Sequence, residues 1–244
     1  MKNLIAFWQI LKKDINNYYL KPPNISWGII FPLSWALMQL LRSPGEVWIK
    51  ELLPGLMAMS VLFGTTSMLA VTITFERRAR AFDRLLIAPV RLSTLVAAKL
   101  SGAIVFGIFN AFLPLIFGTF FVSLEGINWA LMLIAVFLLA ALAALLGLLV
   151  AVSAREVFEA QTLSNFFRFP LLFLCGFFLP ITQLPKVLRI LSLGLPFTYG
   201  ADLLKGALLG KFIFNPLFSL ALMVISCVLL FLLCQRSIAK RWIL

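Results

Sequence analysis

The sequence predicts an all-α, multi-pass membrane protein, and three observations carry that expectation. Hydrophobic residues fill 62% of the 244 positions and charged residues only 12%, against about half and a quarter in a soluble domain. The mean hydropathy is +1.05. Several apolar runs reach or approach the ~20 residues that carry a helix across a bilayer.

The first segment, residues 1–24, lacks the pattern of a signal peptide, because Gln9, Lys12, Lys13 and Asp14 interrupt its apolar residues. Leu4, Trp8, Leu11, Ile15 and Tyr18 recur at helical spacing, and Lys2, Lys12 and Lys13 lie largely off that face. The spacing predicts an amphipathic helix lying in the headgroup plane, stopped by Pro22 and Pro23.

Six spans are expected next, at 25–41, 52–74, 95–122, 127–153, 162–179 and 216–234. Span one is short, about 25 Å at 1.5 Å per residue, and carries Pro32. Span three is long, and Gly102, Gly107, Pro114 and Gly118 predict a tilt or a break in it. Six spans place both termini on one side. That side collects fifteen Lys and Arg against six on the other, which puts both ends in the cytoplasm.

The connection 180–215 is too polar to face lipid and too apolar for a free loop. Val187, Leu188, Leu191 and Leu195 can share a helical face between Pro185, Gly194 and Pro196. Short re-entrant helices are expected there, tolerated only where protein covers their loose backbone groups.

The densest charge follows span two, in FERRARAFDRLLIAPVRLSTLVAAKL, residues 75–100. Phe75, Ala79, Phe82 and Leu86 mark one helical face, while Arg77, Arg80 and Arg84 mark another. Glu76 stands four residues before Arg80, the favourable order for a helical ion pair. Pro89 ends the pattern, so the spacing predicts a continuous helix of about 13 residues, ~20 Å long. One face would pack under the membrane and the other would meet a soluble partner. The competing reading is a basic loop that sets topology and attracts anionic lipid.

Composition excludes several classes. The net charge of +12 follows membrane topology and does not call for nucleic acid. There is no His, and Cys175, Cys227 and Cys234 sit in or beside apolar runs without metal-site or disulfide spacing. No catalytic cluster and no metal site is expected, and no phosphate-cradling Gly-x-x-x-x-Gly-Lys-Ser/Thr occurs.

FDRLLIAPVRLSTLVAAKL, residues 82–100, resembles the first cytoplasmic loop of the type-2 ABC transporter membrane subunits, through Asp83, Arg84, Leu85, Leu86, Pro89, Lys99 and Leu100. A second stretch, residues 173–208, is similar to the family's segment around span five. There Gly176, Pro180, Pro185, Pro196, Phe197, Thr198, Tyr199 and Asp202 occupy the matching places. REVFEAQ, residues 155–161, resembles the family's connection between spans four and five. One departure is Arg80-Ala81, where many members have Gly-Thr; the loss of that glycine is expected to stiffen the docking helix.

The resemblance implies one domain over 1–244, divided into 1–24 (interfacial helix), 25–74 (spans one and two), 75–89 (coupling helix), 95–179 (spans three to five), 180–215 (re-entrant segment) and 216–244 (span six and tail). It implies a permease of an ABC exporter that binds no cofactor itself. ATP and Mg would sit on two copies of a separate ATP-binding subunit, and a second permease chain, a homodimer by preference, would complete the pathway among membrane lipids. Glu76, Arg80, Asp83 and Arg84 would make polar contacts to the ATPase, and Phe82, Leu85 and Leu86 packing contacts. Spans two and five would line the pathway between the two chains.

Phe166, Phe169, Phe173 and Phe177 form an aromatic strip in span five suited to hydrophobic, lipid-like or sugar cargo, or to plain helix packing and lipid contact. Arg168, about 9 Å beyond the expected start of that span, either lines the inner vestibule or snorkels to the headgroups. The rival classes are a free-standing channel, a structural scaffold and a membrane-embedded enzyme.

Overall fold

A computed structural model describes residues 2–14, 16, 26–42, 46–87, 90–123 and 125–243 of the chain. Within them the protein is helical, without a strand. The elements are α1 (Lys2–Asp14), a π turn (Ser26–Ile30) continuing into α2 (Phe31–Arg42), α3 (Glu46–Arg78), α4 (Ala81–Leu86), α5 (Leu92–Thr119) and α6 (Trp129–Ser153). Then come α7 (Val157–Leu174), a 3-10 turn (Ile181–Gln183), α8 (Lys186–Leu193), α9 (Pro196–Leu209), α10 (Pro216–Ile238) and a closing π turn (Ala239–Ile243).

Among the described residues, α3, α5, α6 and α10 are long and apolar enough to cross a membrane, and α8 with α9 form a pair bent by 88°. The stretch Gly28–Gln39 is a shorter apolar helix. Helix ends depart from those expected because packing and capping, not hydropathy, set them. α3 spans 33 residues, about 50 Å, so it outruns a hydrocarbon core of ~30 Å and carries Glu76 and Arg77 on its last turn. α7 begins and ends earlier than expected. The backbone N–H of Arg155 donates to Glu159 at 2.7 Å ahead of it, and Gly176, at φ 75°, follows its end.

Of the tilt or break expected in span three, the break does not occur. α5 runs unbroken through Pro114, and the glycine at 107 serves close approach instead: a Cβ there would stand 2.3 Å from Thr65 Oγ1. α3 is the central helix, buried at every position from Leu53 to Thr74. Around it the apolar side chains form two large clusters. One gathers Leu53, Phe63, Leu115, Leu139, Phe177 and Leu204; the other gathers Ile10, Leu69, Phe82, Val96, Leu148 and Ile238. Between them lies a polar seam of Thr65, Thr66, Ser67, Asn110, Ser164 and Arg168, all buried.

α1 packs on the start of α5 through Ile10 and Phe7, while Leu4 and Trp8 of the expected apolar face are exposed. The two apolar sides suit a helix wedged between protein and lipid. Pro22 and Pro23, expected to end it, lie outside the described residues. Where short re-entrant helices are expected, the chain forms α8 and α9, the pair bent by 88°. Pro180 and Pro185 precede the 3-10 turn and α8, and Pro196 opens α9, where a missing N–H costs nothing. The carbonyls left over at the end of α8 are covered by side chains: Thr198 donates to Ser192 O at 2.6 Å and Tyr199 to Leu193 O at 2.8 Å. Val187, Leu188 and Leu191 of the expected face remain exposed.

Candidate functional site: the arginine-rich end

At the end of α3 the chain does not continue as one helix through 88. It breaks at Ala79 and Arg80, and α4 follows as a separate piece of six residues. Arg80 has φ 53°, the left-handed region in which a Cβ is strained. The arginine thus adopts the backbone a glycine would take without cost, and the stiffer docking helix expected from the missing glycine is not found. Pro89, the expected stop, lies outside the described residues.

Beneath this turn sits a buried ion cluster. Glu76 is 0% exposed and accepts from Lys13 Nζ at 2.6 Å and from Lys99 Nζ at 2.6 Å. Lys99 also reaches Asp14 at 2.8 Å. Two cations and two carboxylates from α1, α3 and α5 therefore neutralise one another, as burial demands. Burial pushes the Asp14 carboxyl above its ordinary range, and Lys99 offsets part of that rise. Glu76 is consequently neither the ion-pair partner of Arg80 nor a contact for a soluble protein. The signal was present in the sequence: Lys99 is a charge inside a predicted span, which calls for a buried partner.

α4 is held by the closing π turn, through Trp242. The Phe82 ring is 1% exposed and meets Trp242 edge to face, with centroids 5.0 Å apart at 80°. The Arg77 guanidinium lies 4.3 Å from the centre of the same indole. Phe82 is thus consumed inside the chain and is unavailable to a partner. Leu85 packs partly against the same core. Arg78, Arg80 and Arg84 are exposed, as is Ile87 at 84%. The side chains of Asp83 and Leu86 lie outside the described set. What this end can do chemically is present a cationic rim around an apolar tip, on a base fixed by ion pairs and an aromatic clamp.

Arg168 departs from both of its expected roles. It lies eleven residues into α7, roughly 17 Å from the helix start, and is 0% exposed. Its Nε donates to Ser164 O at 3.0 Å, Nη1 to Phe63 O at 2.9 Å and Ser67 Oγ at 2.5 Å, and Nη2 to Asn165 Oδ1 at 2.7 Å. It neither lines a vestibule nor snorkels; it ties α7 to α3 across the polar seam. Of the aromatic strip, Phe166, Phe169 and Phe173 are exposed on α7, whereas Phe177 is buried past the helix end. The enclosed α3 offers no exposed face from Leu53 to Thr74, so α7 alone of the two expected pathway spans presents one.

Four long apolar helices, a bent helix pair and a cationic tip anchored at one end define a multi-pass helical membrane protein. The ABC-2 type transporter family pattern matches residues 5–209, and the chain belongs to that family. Among its relatives is the inner membrane transport permease YadH of Escherichia coli (strain K12), 26% identical over 97% of this chain and 95% of its own. Proteins of the same name in Escherichia coli O157:H7 and Shigella flexneri match equally.

Proposed function

We propose that the chain is the permease subunit of an ATP-driven exporter in the inner membrane. In this reading α2, α3, α5, α6, α7 and α10 are the six spans, and both termini lie in the cytoplasm with the arginine-rich end. Two permease chains form the pathway, and two separate ATP-binding subunits, which hold ATP and Mg, grip the tips formed by Arg78, Arg80, Arg84 and Ile87. ATP binding draws those subunits together. The ion cluster carries the movement into α1, α3 and α5, and the Trp242 clamp carries it into α10. Cargo of hydrophobic or amphipathic character, such as a drug, a lipid or a lipid-linked glycan, passes along the exposed phenylalanines of α7.

The observation that carries the proposal is the tip itself. A basic loop that only sets topology has no need of a buried four-residue ion cluster and an aromatic lock beneath it. The test is co-purification of the chain with an ABC-type ATPase expressed from the same genome, followed by ATP-dependent transport in proteoliposomes. Stable capture that is lost on reversing Arg80 and Arg84 to Glu supports the proposal. Transport by the chain without any ATPase sinks it.

A further inference from the structure

At the end of the bundle opposite the arginines lies a cleft of about 630 Å³, in the range that accepts a drug-sized or single-chain lipid ligand. Its walls are aromatic: Trp35 from α2, Phe173 from the end of α7, Phe178 from the turn after it, and Phe212 from the turn after α9. Trp35 and Phe178 stack at 5.4 Å between centroids. The walls are held in place by the fold. Asp202 accepts from the backbone N–H groups of Ile213 at 2.8 Å and Phe214 at 3.1 Å, which fixes the turn bearing Phe212. The Phe212 ring fills the notch over Gly206, where a Cβ would stand 1.9 Å away.

Two lysines and one carboxylate line the cleft: Lys205, Lys211 and Glu51. Lys211 pairs with Glu51 at 3.0 Å on the exposed rim. Lys205, half-buried, donates to the Gly176 carbonyl, and no carboxylate lies within ion-pair distance of it among the described residues. Asp202, three residues earlier on the same helix, has both oxygens taken by backbone. An ammonium has three donors, so two of those on Lys205 lack a partner among the described residues. The buried indole N–H of Trp35 also lacks one. An aromatic trough whose lysine feels Asp202 and Glu51 without a direct ion pair to either, and which keeps spare donors, is complementary to an apolar body carrying an anionic head.

We infer that this cleft binds an amphipathic anion, its phosphate or carboxylate on Lys205 and its apolar part between Trp35, Phe173 and Phe178. The binding chemistry stands apart from the proposed function; only the placement of the cleft at the outer leaflet rests on it. The chemistry is shared by a resident anionic lipid and by an anionic cargo.

The test uses the full chain in phosphatidylcholine nanodiscs, titrated with oleoyl lysophosphatidic acid and, separately, oleoyl lysophosphatidylcholine. The acid should bind saturably and at least ~10-fold more tightly, the size of one charge-assisted hydrogen bond. Lys205→Gln should erase that preference and Lys205→Arg should keep it. Equal binding of the two probes, or an unchanged preference in Lys205→Gln, overturns the inference.

Because Lys205 also caps the Gly176 turn, a second measurement needs no variant. A photoactivatable oleoyl phosphate should label wild-type peptides within 173–180 or 205–213, and labelling confined to other helices overturns the site. With the ATPase present, ATP-driven movement of the acid marks the occupant as cargo, and binding without movement marks it as resident lipid; either sustains the site. Anion binding by a chain that engages no ATPase defeats the proposed function alone. ATP-driven transport by a chain that fails to bind the anion defeats this inference alone.

Discussion

Replacing Lys99 with Met tests the ion cluster most directly. The substitution keeps the length and apolar stem of the side chain and removes one charge. Glu76 keeps Lys13, but Asp14, buried in contact with Lys99 at 2.8 Å, loses its ion pair. Removing one partner of a buried pair costs about 3–5 kcal/mol. At roughly 2–4 °C per kcal/mol for a chain of this size, the unfolding midpoint should fall by about 6 °C or more. Adding Asp14→Leu should recover at least half of the loss, because it removes the stranded carboxylate.

The pH response follows from the same group. Burial already holds the Asp14 carboxyl above 3.8, and loss of Lys99 raises it further. A carboxyl with a folded-state pKa above its unfolded value lets the folded state bind more protons, so stability rises as pH falls towards that value. The deficit of Lys99→Met relative to wild type should therefore shrink as the pH is lowered from neutral. The assay is thermal unfolding of purified protein in detergent at several pH values. A single variant within about 0.5 kcal/mol of wild type, or no recovery in the double variant, refutes the cluster as an energetic unit.

Trp242→Ala should loosen α4 by about 1–3 kcal/mol, the worth of one aromatic pair and one cation–π contact, and lower cargo moved per ATP hydrolysed; Trp242→Phe should restore most of that ratio. Arg80→Gly should stabilise the turn by up to about 1 kcal/mol, read as a higher unfolding midpoint, while Arg80→Val lowers it. Arg168→Lys cannot reproduce the fork that binds Phe63 O, Ser67 and Asn165, so it should cost about 2–3 kcal/mol of stability and leave the cargo preference of surviving protein unchanged, as measured by competition transport.

The membrane class, the helical fold and the short helices after α7 were legible because hydropathy, proline placement and helical spacing are local properties. The break at Arg80 was not, since neither glycine nor proline marks it and the strain is borne by an arginine. Phe82 read as a surface contact because its partner, Trp242, lies 160 positions away. Arg168 was correctly singled out as costly, yet its role depends on a carbonyl exposed by α3 at Phe63, which no periodicity reveals. The cleft opposite the arginine-rich end was invisible for the same reason. Its walls come from α2, α7 and the turn after α9, and only packing brings them together.

Because α3 is sheathed by its own chain from Leu53 to Thr74, it behaves as a fixed post round which the other helices are arranged. On the proposed pathway, cargo would touch it only after its neighbours part. Random mutagenesis should sort accordingly: lesions in the post depress the yield of folded protein whatever is being carried, while lesions among the open phenylalanines of α7 change what is carried and spare the yield.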